Sequence, residues 1–102
     1  MRDEAFRAWL AQKYVAGGAA SRASEASRVE QRYGDLDSHF VRDGFERLLT
    51  HLPYSTADEL AGLRNPTRIP IDGNIRNGLA SLRPAIRCYR DFTIEKQRRM
   101  EA

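Results

Sequence analysis

Asn74-Ile75-Arg76-Asn77-Gly78-Leu79-Ala80-Ser81-Leu82-Arg83-Pro84-Ala85-Ile86-Arg87-Cys88-Tyr89-Arg90-Asp91-Phe92 is the stretch whose spacing decides the fold. At 100° per residue, Ile75, Leu79, Leu82, Ile86 and Tyr89 share an arc of about 80°, the narrow apolar seam of an amphipathic helix. The spacing predicts a long helix over roughly 74–99, with Asp72 or Asn74 as its N-terminal cap. Pro84 lacks a backbone N–H and crowds the preceding turn, so a kink near Ala80–Pro84 is expected, or a break at which Pro84 opens a second helix. Beyond Phe92 the chain is mostly charged, and residues 93–102 are expected to fray.

Outward from this segment the same periodicity recurs. Phe6, Trp9, Leu10 and Tyr14 stand at i, i+3, i+4 and i+8, predicting a first helix over 3–16 that ends at Gly17-Gly18. A second helix from Ser21 or Ser24 to Tyr33 carries small apolar residues, Ala23, Ala26 and Val29, and stops at Gly34. Asp37 is read as the N-cap of a short helix through Phe40 and Val41. Asp43-Gly44 then opens a segment with Phe45, Leu48, Leu49 and Leu52 at i, i+3, i+4 and i+7, closed by Pro53. Ser55-Thr56-Ala57-Asp58 reads as a capping box before Leu60 and Leu63. Pro66 and Pro70 mark 64–73 as a loop in which Ile69 and Ile71 are expected to plug the core.

The expected fold is therefore all-α: one domain over 1–102, a bundle of about five short helices with a long C-terminal helix. Its expected core is Phe6, Trp9, Leu10, Val29, Tyr33, Phe40, Phe45, Leu48, Leu49, Leu52, Leu60, Ile71, Leu79, Leu82 and Ile86. No apolar run approaches the ~20 residues of a membrane span, and the mixed-charge N-terminus resembles neither a signal nor a transit peptide, so a cytoplasmic location is expected. Cys88 is the single cysteine, which excludes an internal disulfide and a multi-cysteine zinc site.

Charge adds a second pattern. Residues 1–63 hold 8 Lys/Arg against 10 Asp/Glu, giving −2, whereas residues 64–102 hold 9 against 4, giving +5. On the wheel that defines the apolar seam, Arg76, Arg83, Arg87 and Arg90 fall within about 60°, centred some 90° from it. A continuous helix would spread them over roughly 21 Å. Arginine suits phosphate because its planar fork donates paired hydrogen bonds and stays charged near neutrality. The competing reading is an ordinary solvated flank, with Asp91 and Glu95 pairing some of these arginines.

Catalytic and cofactor motifs are lacking. His39 and His51 share no tight motif with Cys88 or a serine, and no Gly-x-Ser-x-Gly occurs. Asp35, Asp37, His39 and Asp43 do not follow a calcium loop, since Phe40 stands where the sixth-position glycine belongs. Gly73 to Gly78 lacks the Gly-Lys-Ser/Thr ending of a phosphate-binding loop. The chain is read as non-enzymatic, with no cofactor and no metal.

Phe6-Arg7-Ala8-Trp9-Leu10, Arg28-Val29-Glu30, Tyr33-Gly34-Asp35-Leu36-Asp37 and the run from Ile69 to Phe92 together resemble a helical module found at the N-terminus of bacterial and phage proteins, some with nuclease domains downstream. In outline they are also similar to the SAM-like core-binding domain of tyrosine recombinases, where a Trp-Leu helix opens and a Leu-Ala-Ser-Leu-Arg helix closes a DNA clamp. The resemblance implies a DNA-binding or targeting accessory domain, with Arg76, Arg83, Arg87 and Arg90 as contacts to duplex DNA. It does not imply recombinase chemistry, because Tyr89 is not accompanied in these 102 residues by the arginine and histidine pattern of a recombinase catalytic domain. The alternative partner is a protein, either a larger enzyme or a second copy of the chain, docked on the seam of the last helix.

Overall fold

The computed structural model describes residues 1–101. Among them the secondary structure is entirely helical: α1 (Asp3–Lys13), α2 (Ala16–Tyr33), α3 (Leu36–Asp43), α4 (Glu46–His51), α5 (Thr56–Leu60), α6 (Ile75–Ala80) and α7 (Leu82–Glu101). The expected all-α fold is what the chain adopts. No described helix is long and apolar enough to cross a membrane.

The centre is an aromatic cluster. Phe6 and Trp9 of α1 meet Tyr89 and Phe92 of α7, with the Phe6 ring edge-on to Tyr89 at 4.9 Å and 5.5 Å from Phe92. Leu10, Leu36, Leu52, Leu79, Leu82 and Ile86 complete the core around them, all essentially excluded from solvent. Helix α2 packs on both α1 and α7. Its fully buried Ala23 and Ala26 leave no side-chain bulk to hold those neighbours apart.

That close packing also accounts for the first correction. Gly17-Gly18 does not end a helix; the break comes earlier, at Tyr14 and Val15, both extended, and the glycines lie in the first turn of α2. Tertiary contact along the alanine face outweighs the roughly 1 kcal/mol per residue by which glycine disfavours a helix.

The second correction concerns Asp37. The N-cap of α3 is Asp35, whose carboxylate accepts from the Ser38 N–H at 3.2 Å. Asp37 instead accepts the Tyr89 hydroxyl at 2.8 Å and the Arg2 guanidinium at 3.2 Å. The same guanidinium reaches Thr93 Oγ1 at 3.2 Å, and the Arg2 N–H donates to Tyr89 Oη at 2.9 Å. A buried hydroxyl needs partners, and this network supplies them from both other elements at that corner. Burial, followed by the bond to Asp37, pushes the Tyr89 phenol up to about 12, against the opposing bond from the Arg2 N–H.

Between α3 and α4 the chain turns through two consecutive left-handed residues, Gly44 (φ 63°) and Phe45 (φ 70°). The helix expected to open at Asp43-Gly44 thus starts at Glu46, while Asp43 ends α3 and still accepts from the Arg47 N–H at 3.1 Å. A left-handed phenylalanine costs roughly 1–2 kcal/mol. Full burial of its ring beside Phe40 and Tyr89 contributes about 1.5–3 kcal/mol, so packing wins.

The capping box at Ser55 and Asp58 forms as expected. Leu60, however, is not core; it is 84% exposed, because α5 is only five residues long and faces outward. Tyr33, Phe40 and Ile71 are half-buried against the core rather than within it. The 64–74 loop holds Ile69 inside, at 2% exposure, through Asn65 Nδ2 on the Ile69 carbonyl and Asn65 Oδ1 on Thr67. The long helix does break: α6 ends at Ala80, Ser81 is its C-cap, and α7 starts at Leu82. Pro84 falls in the first turn of α7, where a missing N–H costs no intrahelical bond. Beyond Phe92, α7 stays helical to Glu101, with Glu95 anchored by Trp9 Nε1 at 2.6 Å.

Glycine is needed at 78, where an added Cβ would overlap Ile71 Cγ2 and stand 3.0 Å from Ile71 Cδ1. Gly78→Ala is expected to lower unfolding free energy by about 1–3 kcal/mol through overpacking. Gly17→Ala, with open space around it, is expected to raise it by up to about 1 kcal/mol; urea titration of both variants checks the opposite signs. A second expectation concerns alkaline pH. The folded Tyr89 phenol titrates above the unfolded value of about 10, so the stability it contributes is complete below pH 10 and is lost as pH rises from there through about 12. Tyr89→Phe should lower stability at pH 7 while flattening its decline between pH 10 and 12, read from chemical denaturation across that range.

Candidate nucleic-acid interface

The four arginines do not form one row. Arg76 lies on α6, before the Ser81 break, and its Nε donates to Glu59 Oε2 at 3.1 Å. Asn74, the N-cap of α6, donates to the same oxygen at 3.2 Å. These two bonds hold the Glu59 carboxyl below its usual range. Arg76 is therefore occupied in joining α6 to α5, a commitment that a single helical wheel drawn through Ser81 does not reveal.

The other three remain together on α7. Leu82, Ala85, Ile86 and Tyr89 face inward, which turns positions 83, 87 and 90 to the flank, over a rise of about 10.5 Å. Arg87 is exposed, whereas Arg83 and Arg90 are half-buried. Among the described residues, none of the three has a carboxylate within ion-pairing distance. Glu95, a candidate partner on spacing alone, is taken by Trp9 and Arg99, with Lys13 3.9 Å away.

Arg83 stands between two open grooves. One is lined by Arg83 and Arg90 with Asp43, Glu46, Thr50 and Pro53. The other is lined by Arg83 and Arg87 with Pro53, Tyr54, Ser55 and Pro84. The first mixes acid and base; the second has no carboxylate. Arg83 Nε is buried and has no hydrogen-bond partner. A buried donor without a partner costs about 1–3 kcal/mol, a penalty set against the packing of the half-buried Arg83 stem.

A further concentration of positive charge lies on the other side of α4, from Arg42, Arg47 and Arg68. Arg47 and His51, at i and i+4, are a pair that helical spacing could have placed on one face. Arg68 comes from an irregular loop, and no local pattern foretells its position. Cys88 is buried, its Sγ 3.3 Å from the Tyr14 hydroxyl.

Compared with known proteins, the chain matches no family model, no curated protein and no solved structure. Arg83→Met, which keeps the apolar stem and removes the unpartnered donor, is expected to leave thermal stability unchanged or raise it by up to about 2 kcal/mol. Calorimetric melting beside the parent chain checks this.

Proposed function

We propose that this chain is a non-catalytic DNA-binding or targeting module that lays the arginine flank of α7 along a phosphate backbone. The observation that carries this reading is the trio Arg83, Arg87 and Arg90, aligned on one flank of a 20-residue helix and unpaired by any described carboxylate. Three guanidinium groups over about 10.5 Å stand roughly 4.5–6 Å apart along the helix, of the same order as the one charge per about 3.4 Å of axis that a single strand of a duplex presents. Such contacts position a protein on DNA without reading sequence. Arg76 is left out, because its Nε is bound to Glu59.

The resemblance to the SAM-like core-binding domain supports the same direction, since α1, with Trp9 and Leu10, packs against the closing helix α7. The Leu79-Ala80-Ser81-Leu82 stretch departs from that pattern: it is broken at Ser81 instead of running through. A second reading, a protein-interaction module, loses the seam of the last helix, whose Leu79, Leu82, Ile86 and Tyr89 are buried in the chain's own core; it draws instead on Leu60 at 84% and Leu63 at 52% exposure, at and just past the end of α5. In that case sedimentation should show a mass that rises with concentration and falls back to the monomer in Leu60→Ser.

Three neutralised phosphates give a slope of log affinity against log salt near −2.7 for duplex DNA. Arg83→Ala with Arg87→Ala should bring it to about −0.9, whereas Arg76→Ala should leave it unchanged. Fluorescence anisotropy with a labelled duplex between 20 and about 200 mM salt measures all three; no binding at the lowest salt defeats the proposal.

A further inference from the structure

On the side of α4 away from α7 lies a concavity of about 270 Å³, lined by Tyr33, His39, Arg42, Arg47, Leu48, His51 and Arg68. Its walls come from the C-terminal turn of α2, from α3, from α4 and from the 64–74 loop. Three guanidinium groups and two imidazoles face it, and no carboxylate does. Bringing like charges together is unfavourable, and a cleft lined by one sign of charge raises the local concentration of counter-ions. Among the described residues none of Arg42, Arg47 and Arg68 has an ion-pair partner, although acids are nearly as common as bases in this chain.

The neutral groups in the wall are already oriented. Tyr33 Oη accepts the Arg68 N–H at 2.9 Å, and its own hydroxyl hydrogen has no acceptor among the described residues. The Arg68 guanidinium lies 5.6 Å from the centre of the Tyr33 ring, and His51 stands edge-on to the same ring at 5.9 Å. His39 Nε2 is 2.7 Å from the Tyr33 carbonyl, which can only accept, so Nε2 carries the hydrogen and Nδ1 is the free ring nitrogen. Tyr33 thus organises the wall through its hydroxyl, ring and carbonyl. The volume falls below the roughly 300–1,000 Å³ of sites for drug-sized ligands, which suits a small anion.

We infer that this concavity binds a phosphoryl group, with the forks of Arg42, Arg47 and Arg68 on its oxygens and the Tyr33 hydroxyl as an uncharged donor. Arginine is the side chain suited to this, because its paired N–H groups match two phosphate oxygens at once. The site is separate from the α7 flank and does not rest on DNA binding; it can hold if that reading fails.

The test is a titration of the full chain with sodium phosphate at constant ionic strength, followed by NMR of the His39 and His51 ring protons and the Arg68 amide. Saturable shifts of all three are expected, with affinity at least fivefold weaker in Arg47→Gln and in Arg68→Gln. Both residues are exposed, so both variants should retain the parent amide spectrum elsewhere. Arg22→Gln, which removes one positive charge outside the concavity, should stay within twofold of the parent. Arms with a nucleoside 5′-monophosphate and its unphosphorylated nucleoside identify the source. Tighter binding of the monophosphate than of inorganic phosphate, with none by the nucleoside, assigns the site to nucleotides; equal binding assigns it to the free ion. Shifts that do not saturate or that chloride reproduces overturn the inference, as does unchanged affinity in both arginine variants.

Discussion

Tyr89 is the residue on which the arrangement turns. Its ring touches Phe6, Phe45 and Phe92, contributed by α1, by the α3–α4 corner and by α7. Its hydroxyl joins Asp37 and the backbone of Arg2. A phenol at this depth satisfies two demands together: apolar burial draws helices inward, and the hydrogen bonds fix how far they come. Once α7 is held at Tyr89, the residues flanking it have no freedom of side. Ile86, Ala85 and Leu82 turn inward, and Arg83, Arg87 and Arg90 are left on the flank, Arg87 exposed and the other two half-buried. The charged flank is a by-product of the apolar packing beneath it.

The fold was readable wherever one helix supplied its own pattern. Phe6, Trp9 and Leu10, the capping box at Ser55, the break near Pro84 and the buried Ile69 all followed from local spacing or local chemistry. What escaped depends on contacts between elements distant in sequence. Asp37 looked like a cap because aspartate before a helix usually is one; a hydroxyl 52 residues away claims it instead. Gly17 and Gly18 looked like a stop because the alanine face that keeps them helical has meaning only against α1 and α7. Leu60 looked like core because helical periodicity tells which side a residue takes and nothing of whether the helix has a neighbour there.

The candidate site divides along the same line. Arg83, Arg87 and Arg90 stay on one helix, and their grouping was visible at 100° per residue. Arg76 was placed with them by extending the wheel through Ser81, and the break removed it. The cluster of Arg42, Arg47 and Arg68 joins two short elements to a loop, and no periodicity spans such a join. Net charge by segment pointed at the final third of the chain, yet two of these three arginines come from the acidic-leaning part. A count by segment sees sequence distance, whereas an ion sees distance in space.

Gly78 and Ile71 lie seven residues apart, one in a helix and one in a loop, yet they share a single volume: the side chain absent from the first is occupied by the second. Neither position can therefore drift alone. A larger residue at 78 requires a smaller one at 71, and the effects of changing both will not be the sum of changing each. In a set of divergent sequences with this fold, the two columns would vary together, and the loop that looks free to change would be tied to the helix it precedes.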